Sequence, residues 1–299
     1  MALVFSAGSR AGAQSDYEKF SNAVHGVRLA LEADIGKIAP SLSVLVQTSN
    51  DYFFASSAGA PWLPITPDTY LRFASNTKNF TAAAVLNMHS RGLLDVYARI
   101  TDMIPGSDIP YVPDGTNWNI PNKEIITIEQ LLRHSAGVYD VDNSPVPGSG
   151  HDSYVDYMLG LYPDHQFTAD ELVGQVALHG LSYFMPGQSY HYSDTGYTIL
   201  SEIIARVYSR ACGAAKTYSD YLYEQILGAT APVPLPGMRF PHLASDTALP
   251  EPYVPAVQYL ADGGTVVVTV HDVLVTQGPA RRVRIPEGFG TNQSQHHKA

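Results

Sequence analysis

Cysteine is nearly absent. Cys212 is the only one in 299 residues, so no internal disulfide can form. Paired-cysteine zinc spacings are excluded with it, and H-E-x-x-H does not occur either. His151-Asp152 and Asp164-His165 lie in polar, Gly/Pro/Ser-rich stretches, so neither a metal site nor a cofactor is expected. Charge is scarce, at 15% Asp, Glu, Lys and Arg, with a formal net charge of −10. That balance speaks against a nucleic-acid surface; Arg281, Arg282 and Arg284 read as a local cluster of solvated charges. No stretch approaches the roughly 18 apolar residues of a membrane helix. A G-x-S-x-G nucleophile elbow is also missing. Ser135 lacks the first glycine of that pattern, and Gly187-Gln188-Ser189-Tyr190-His191 lacks the last.

What is present is an ordinary globular composition, 45% hydrophobic, in a length that suits one large domain or two small ones. Ser15 to about Asp34 predicts an amphipathic helix, with Phe20, Val24, Val27, Leu29 and Leu31 on or near one side. Leu42–Gln47 and Tyr52–Ala55 predict two strands joined at Ser49-Asn50-Asp51, a hairpin signal. Residues 65–250 read as mainly helical with long loops, the clearest helices being Ile128–Leu132, Ala169–Leu178 and Tyr197–Tyr208. Seven prolines between Pro232 and Pro255 mark an irregular stretch.

Ser75-Asn76-Thr77-Lys78 is the one place where a nucleophile and a candidate base are joined by local geometry. Residues three apart share a helix face, so the Lys78 amine can lie beside the Ser75 hydroxyl. A serine hydroxyl is a weak nucleophile until a neighbouring base takes its proton. Phe80, Ala83, Ala84, Val85, Leu86, Met88, Leu93 and Leu94 follow at spacings that suit a buried helix of about 15 residues, with Gly92 near its end. Ser75 then falls in the first turn, where free N–H groups and the helix dipole favour an oxyanion. The plain alternative for a bare S-x-x-K is an exposed helix with a solvated lysine.

Two further segments make a constellation of the tetrad. One is Leu131-Leu132-Arg133-His134-Ser135-Ala136-Gly137. The other is Phe184-Met185-Pro186-Gly187 followed by Tyr192-Ser193-Asp194-Thr195-Gly196-Tyr197. With these motifs, in this order, and Gly263-Gly264 beyond them, the chain resembles the serine β-lactamase and penicillin-binding protein superfamily. That group includes class C β-lactamases, D-alanyl-D-alanine carboxypeptidases and related esterases. The resemblance runs from about Ala39 to about Leu274.

The resemblance implies an α+β, β-lactamase/transpeptidase-like fold: an antiparallel sheet flanked by helices, plus an all-helical lobe. Residues 1–13 would be a signal-peptide remnant, with Ala11-Gly12-Ala13 as a small-residue cleavage site. Residues 14–299 would form one two-lobed catalytic domain, with 14–64 and 255–299 in the mixed lobe and 65–254 in the mainly helical one. The implied activity is a serine hydrolase acting through an acyl-enzyme on a D-alanyl peptide, a β-lactam or a small ester. A catalytically impaired homologue is the alternative. The implied partner is a small-molecule or peptide substrate. A periplasmic or secreted location is expected, with a cytoplasmic one as the alternative.

The resemblance also assigns roles. Ser75 attacks, Lys78 and Tyr192 share proton transfer, and Asp194 binds substrate. Tyr192 could instead be one of the many structural members of the 19 tyrosines. Asp194 stands where asparagine is commoner. A carboxylate only accepts hydrogen bonds, and beside Lys78 it favours the ammonium. That shifts the weight toward Tyr192 as the base, and toward esters or small D-amino-acid substrates. His134 is expected to be structural, at a helix end. The family's K-T-G or H-x-G strand is not found. Either the chain is truncated or frameshifted near residue 275, which the order of motifs favours, or the β-branched run Thr265–Val270 stands in as a strand.

Overall fold

The computed structural model describes residues 15–38, 41–47, 52–60, 64, 66–67, 71–72, 74–162, 165, 167–228, 231, 234–235 and 267–268. Several expectations lie outside these residues: the turn at Ser49-Asn50-Asp51, Ala11-Gly12-Ala13, Asp164, Gly263-Gly264, and Arg281, Arg282 and Arg284. So does most of 255–299. The chain divides into two compact units, 1–69 and 70–299.

In the first unit, α1 (Asp16–Ile35) starts at a capping box. Ser15 Oγ accepts the Glu18 N–H, and Glu18 accepts the Ser15 N–H. It ends at Gly36, whose φ of 64° is the left-handed conformation that glycine adopts without penalty. Strands β1 (Ser41–Gln47) and β2 (Tyr52–Ala58) pair antiparallel, with Ser41 opposite Ala58 and Gln47 opposite Tyr52. This is the expected hairpin pair, and α1 packs on it. The packed face of the helix differs from the predicted one. Val24 and Arg28 are buried, whereas Val27, Leu29 and Leu31 are exposed. The inner stripe runs at a spacing of four, through Phe20, Val24, Arg28 and Glu32. Arg28 is accommodated there because its Nε donates to Ser57 Oγ at 2.7 Å and its guanidinium pairs with Glu32. Buried charge is tolerated only with such partners.

In the second unit, β3 (Leu71–Arg72) pairs antiparallel with β4 (Val267–Val268). A β-branched pair at 267–268 is thus extended, within the run read as a strand. A 3-10 turn, Ala74–Asn76, leads into α2 (Thr77–Ser90). Further along come α3 (Ile128–Leu132), α4 (Tyr154–Leu161), α5 (Ala169–His179), α6 (Asp194–Cys212) and the short α7 (Tyr218–Tyr221), which continues as a π-helical segment, Leu222–Leu227. Helix α6 is the centre of this unit, packing against α2, α3, α5 and α7. It buries Ile199, Leu200, Ile203, Ile204 and Val207 against neighbours that include Val85, Met88, Leu131 and Leu172. Truncating one of these isoleucines to alanine costs about 2–5 kcal/mol. Helix α2 is therefore held rigidly where it delivers its first turn. No described helix is long and apolar enough to cross a membrane.

Candidate active site

The sequence places Ser75 and Lys78 one turn apart at the start of α2. The structure gives Lys78 Nζ donating to Ser75 Oγ at 3.3 Å. From 117 positions along the chain, the Tyr192 hydroxyl donates to the same oxygen at 2.7 Å. Ser75 is exposed, so the group it would attack can reach it.

Tyr192 is brought there by backbone zippering. The His191 N–H donates to the His134 carbonyl at 3.0 Å, the Gly187 N–H to Ser135 at 2.8 Å, and the Tyr183 N–H to Gly137 at 2.9 Å. The L-L-x-H-S-x-G segment and the P-G…Y-S-D segment thus run side by side. Gly137 is required at this contact: its φ is 70°, and an added Cβ would lie 2.0 Å from the Phe184 carbonyl oxygen. The motif residues after Tyr192 start α6. Ser193 is the N-cap, its Oγ accepting the Gly196 N–H at 2.9 Å, and Asp194 is the first helical residue.

His134, expected at a helix end, follows α3 with a φ of 55°. Its ring stacks on Tyr192 with centroids 4.6 Å apart, and its Nδ1 accepts the Ser193 N–H at 3.1 Å. Burial, and then the Lys78 charge, push its pKa down to about 4. A neutral imidazole with the proton on Nε2 fits that acceptor role. His134 buttresses the tyrosine.

Asp194 forms a close ion pair with Lys78, whose side chain is 17% exposed. Burial disfavours the Lys78 ammonium, but the charge and hydrogen bond of Asp194, joined by Tyr192, outweigh it and raise the pKa above the ordinary lysine value. The ammonium also lies 4.8 Å from the ring centre of Tyr192 and 5.6 Å from that of Tyr197. Burial pushes the Tyr197 phenol up to about 12. In this arrangement Lys78 Nζ donates to both Ser75 and Asp194.

Sequence reasoning missed the loop behind Asp194. Asn143 Nδ2 donates to Asp194 Oδ2 at 2.6 Å and to Asp140 Oδ2 at 3.0 Å. Asp142 is buried, accepts from Thr195 Oγ1 at 3.2 Å, and is pushed up to about 8 by burial and by the charges of Asp140 and Asp194. The available signal was Asp140-Val141-Asp142-Asn143, three residues beyond Gly137. The histidine pairs weighed in the sequence do other work. His165 pairs with Glu171, which also accepts from Tyr154, and the His151 ring packs near Tyr157. Among the described residues, no group of three or more His, Cys, Asp and Glu is placed to hold a metal ion.

Penicillin-binding protein 4* of Bacillus subtilis (strain 168) is 24% identical over 190 residues, 62% of this chain and 35% of that protein. Protein flp of Staphylococcus aureus (strain NCTC 8325 / PS 47) is 27% identical over 188 residues, 61% of this chain and 32% of that protein. The chain spans about a third of the length of these curated relatives. A D-stereospecific amidohydrolase from Streptomyces sp. superposes with a TM-score of 0.58 at 22% identity, over 84% of this chain and 71% of that one. The D-amino acid amidase from Ochrobactrum anthropi SV3, complexed with L-phenylalanine, gives 0.57 at 22% identity, over 86% and 68%. The fold is the β-lactamase/transpeptidase-like fold. With the Beta-lactamase profile matching residues 30–276, more than half of its length, the chain belongs to that family.

Proposed function

We propose that this protein is a serine hydrolase working through an acyl-enzyme, with Ser75 as nucleophile and Tyr192 as general base. The convergence of Tyr192 and Lys78 on Ser75 Oγ carries the reading. With Lys78 committed to Asp194, the proton acceptor is the Tyr192 oxygen, 2.7 Å from Ser75 Oγ. Ser75 Oγ attacks the carbonyl carbon and its proton passes to Tyr192. The tetrahedral oxyanion forms near the first turn of α2, where N–H groups lack intrahelical partners. Tyr192 then returns the proton to the leaving group. Water, deprotonated by the same oxygen, releases the acyl group and restores Ser75.

The substrate class proposed is a D-amino-acid amide or peptide, or a small ester, ahead of β-lactams. The acceptor-only Asp194 supports that order, and two fold relatives are a D-stereospecific amidohydrolase and a D-amino acid amidase. Action outside the cytoplasm belongs to the same proposal. The second reading, acylation without efficient turnover, has one observation in its favour: Lys78 is committed to Asp194, so a single phenol must serve both half-reactions.

The test is labelling by a fluorophosphonate and by a fluorescent penicillin, with hydrolysis of p-nitrophenyl acetate, nitrocefin and D-phenylalanine amide. Labelling that maps to Ser75 and is lost in Ser75→Ala is expected. Labelling followed by release supports the hydrolase, and a stable adduct supports the second reading. Full activity in Ser75→Ala removes the assignment.

A further inference from the structure

We propose that Asn143 is a positioning residue, which fixes the Asp194 carboxylate against Lys78 and thereby holds the proton inventory of the site. The inference rests on the reading of Ser75, Lys78 and Tyr192 given above and extends it to a loop outside the recognised motifs.

Two carboxylates, Asp140 and Asp194, face each other across the start of α6. Asn143 stands between them with its amide nitrogen on both. The assignment of nitrogen rather than oxygen follows from the partners, since two carboxylates need a donor. Asp140 is 2% exposed and cannot turn away to solvent. Its carboxylate also accepts the Asp142 N–H at 3.2 Å; burial pushes its pKa up, and the hydrogen bonds from Asn143 and from the Asp194 and Asp142 N–H groups oppose that rise. Asp140 is therefore a fixed anchor, and Asn143 ties Asp194 to it. Asp194 Oδ2 takes the Asn143 bond and Oδ1 takes Lys78, so the rotation of the carboxylate is set from both sides.

The groups facing this assembly are Lys78 from α2, Tyr192 and His134 from the zippered segments, Tyr197 from α6, and Asp140 and Asp142 from the loop. Lys78 is the one cation among them at neutral pH, because His134 is neutral there. Freeing Asp194 would weaken its hold on the ammonium. The Lys78 amine would then be held less firmly beside Ser75 Oγ and the Tyr192 ring, and Ser75 would lose reactivity although Asn143 touches neither.

The test is a double-mutant cycle of Asn143→Ala with Asp194→Asn, read two ways. The first readout is the 13C titration of the Lys78 side chain, resolvable among six lysines. Its midpoint should fall in Asn143→Ala relative to the native chain, and should be the same in Asp194→Asn with or without Asn143→Ala. The second is the rate of fluorophosphonate labelling at Ser75. Asn143→Ala should slow it about tenfold in the native background and less than about twofold with Asp194→Asn. An unmoved Lys78 midpoint in Asn143→Ala, or equal effects in both backgrounds, overturns the proposal. Failure of the native protein to label at all would strike the hydrolase reading instead, and the lysine titration would still decide the role of Asn143.

Discussion

His134 lies flat on Tyr192, ring centroids 4.6 Å apart and planes inclined by 30°, while its Nδ1 takes the N–H of the next residue, Ser193. One side chain thus fixes both the ring and the backbone of the proposed base. Protonation would turn Nδ1 into a donor facing a donor.

Stability should follow that proton. The folded pKa, about 4, lies below the ordinary 6.5. A depressed value means that the folded state resists the proton, so the contribution is complete above 6.5 and disappears as pH falls toward 4. Thermal melts of His134→Gln should show a shallower loss between pH 6.5 and 4 than the native chain. Identical slopes would contradict the assignment.

Asp142 has the opposite sign. Its folded pKa, about 8, lies above the ordinary 3.8, so the folded state keeps a proton that the unfolded chain releases. The native chain pays for this increasingly between pH 3.8 and 8. Asp142→Asn keeps the acceptor for Thr195 and removes the titration. Its melting temperature should exceed the native one by a margin that grows from pH 4 to 8; a constant margin counts against the shift.

Tyr192→Phe deletes the hydroxyl on Ser75 while leaving the ring on His134. A drop of roughly 10²–10⁴-fold in kcat/KM, with an unchanged circular dichroism spectrum, is expected for loss of a general base. A loss below about threefold would pass the role to another group.

Gly137→Ala tests the zipper. Both the positive φ and the 2.0 Å approach to the Phe184 carbonyl forbid a methyl group there. Urea unfolding should show a loss of more than about 2 kcal/mol, with weaker Ser75 labelling in the folded fraction.

The legible parts were those written in local spacing. The tetrad, the hairpin pair and α3 follow from residues that need only their neighbours. Helix α6 begins at Asp194 rather than Tyr197, because Ser193 acts as a cap within what reads as a motif. The inner face of α1 was misjudged because an arginine, satisfied by Ser57 and Glu32, occupies a position that pattern reading gives to an apolar residue. The Asp140–Asn143–Asp194 bridge joins residues 51 positions apart through side-chain bonds, which leave no periodic trace.

Leu71–Arg72, just ahead of the nucleophile, is paired with Val267–Val268, a closure spanning roughly two hundred residues. Neighbouring helices can settle early, while so distant a contact waits for the chain to be made and its ends to meet. A nascent chain would carry a formed helical body before the approach to Ser75 is set. On that order the proposed active centre would mature last, after the scaffold that carries it.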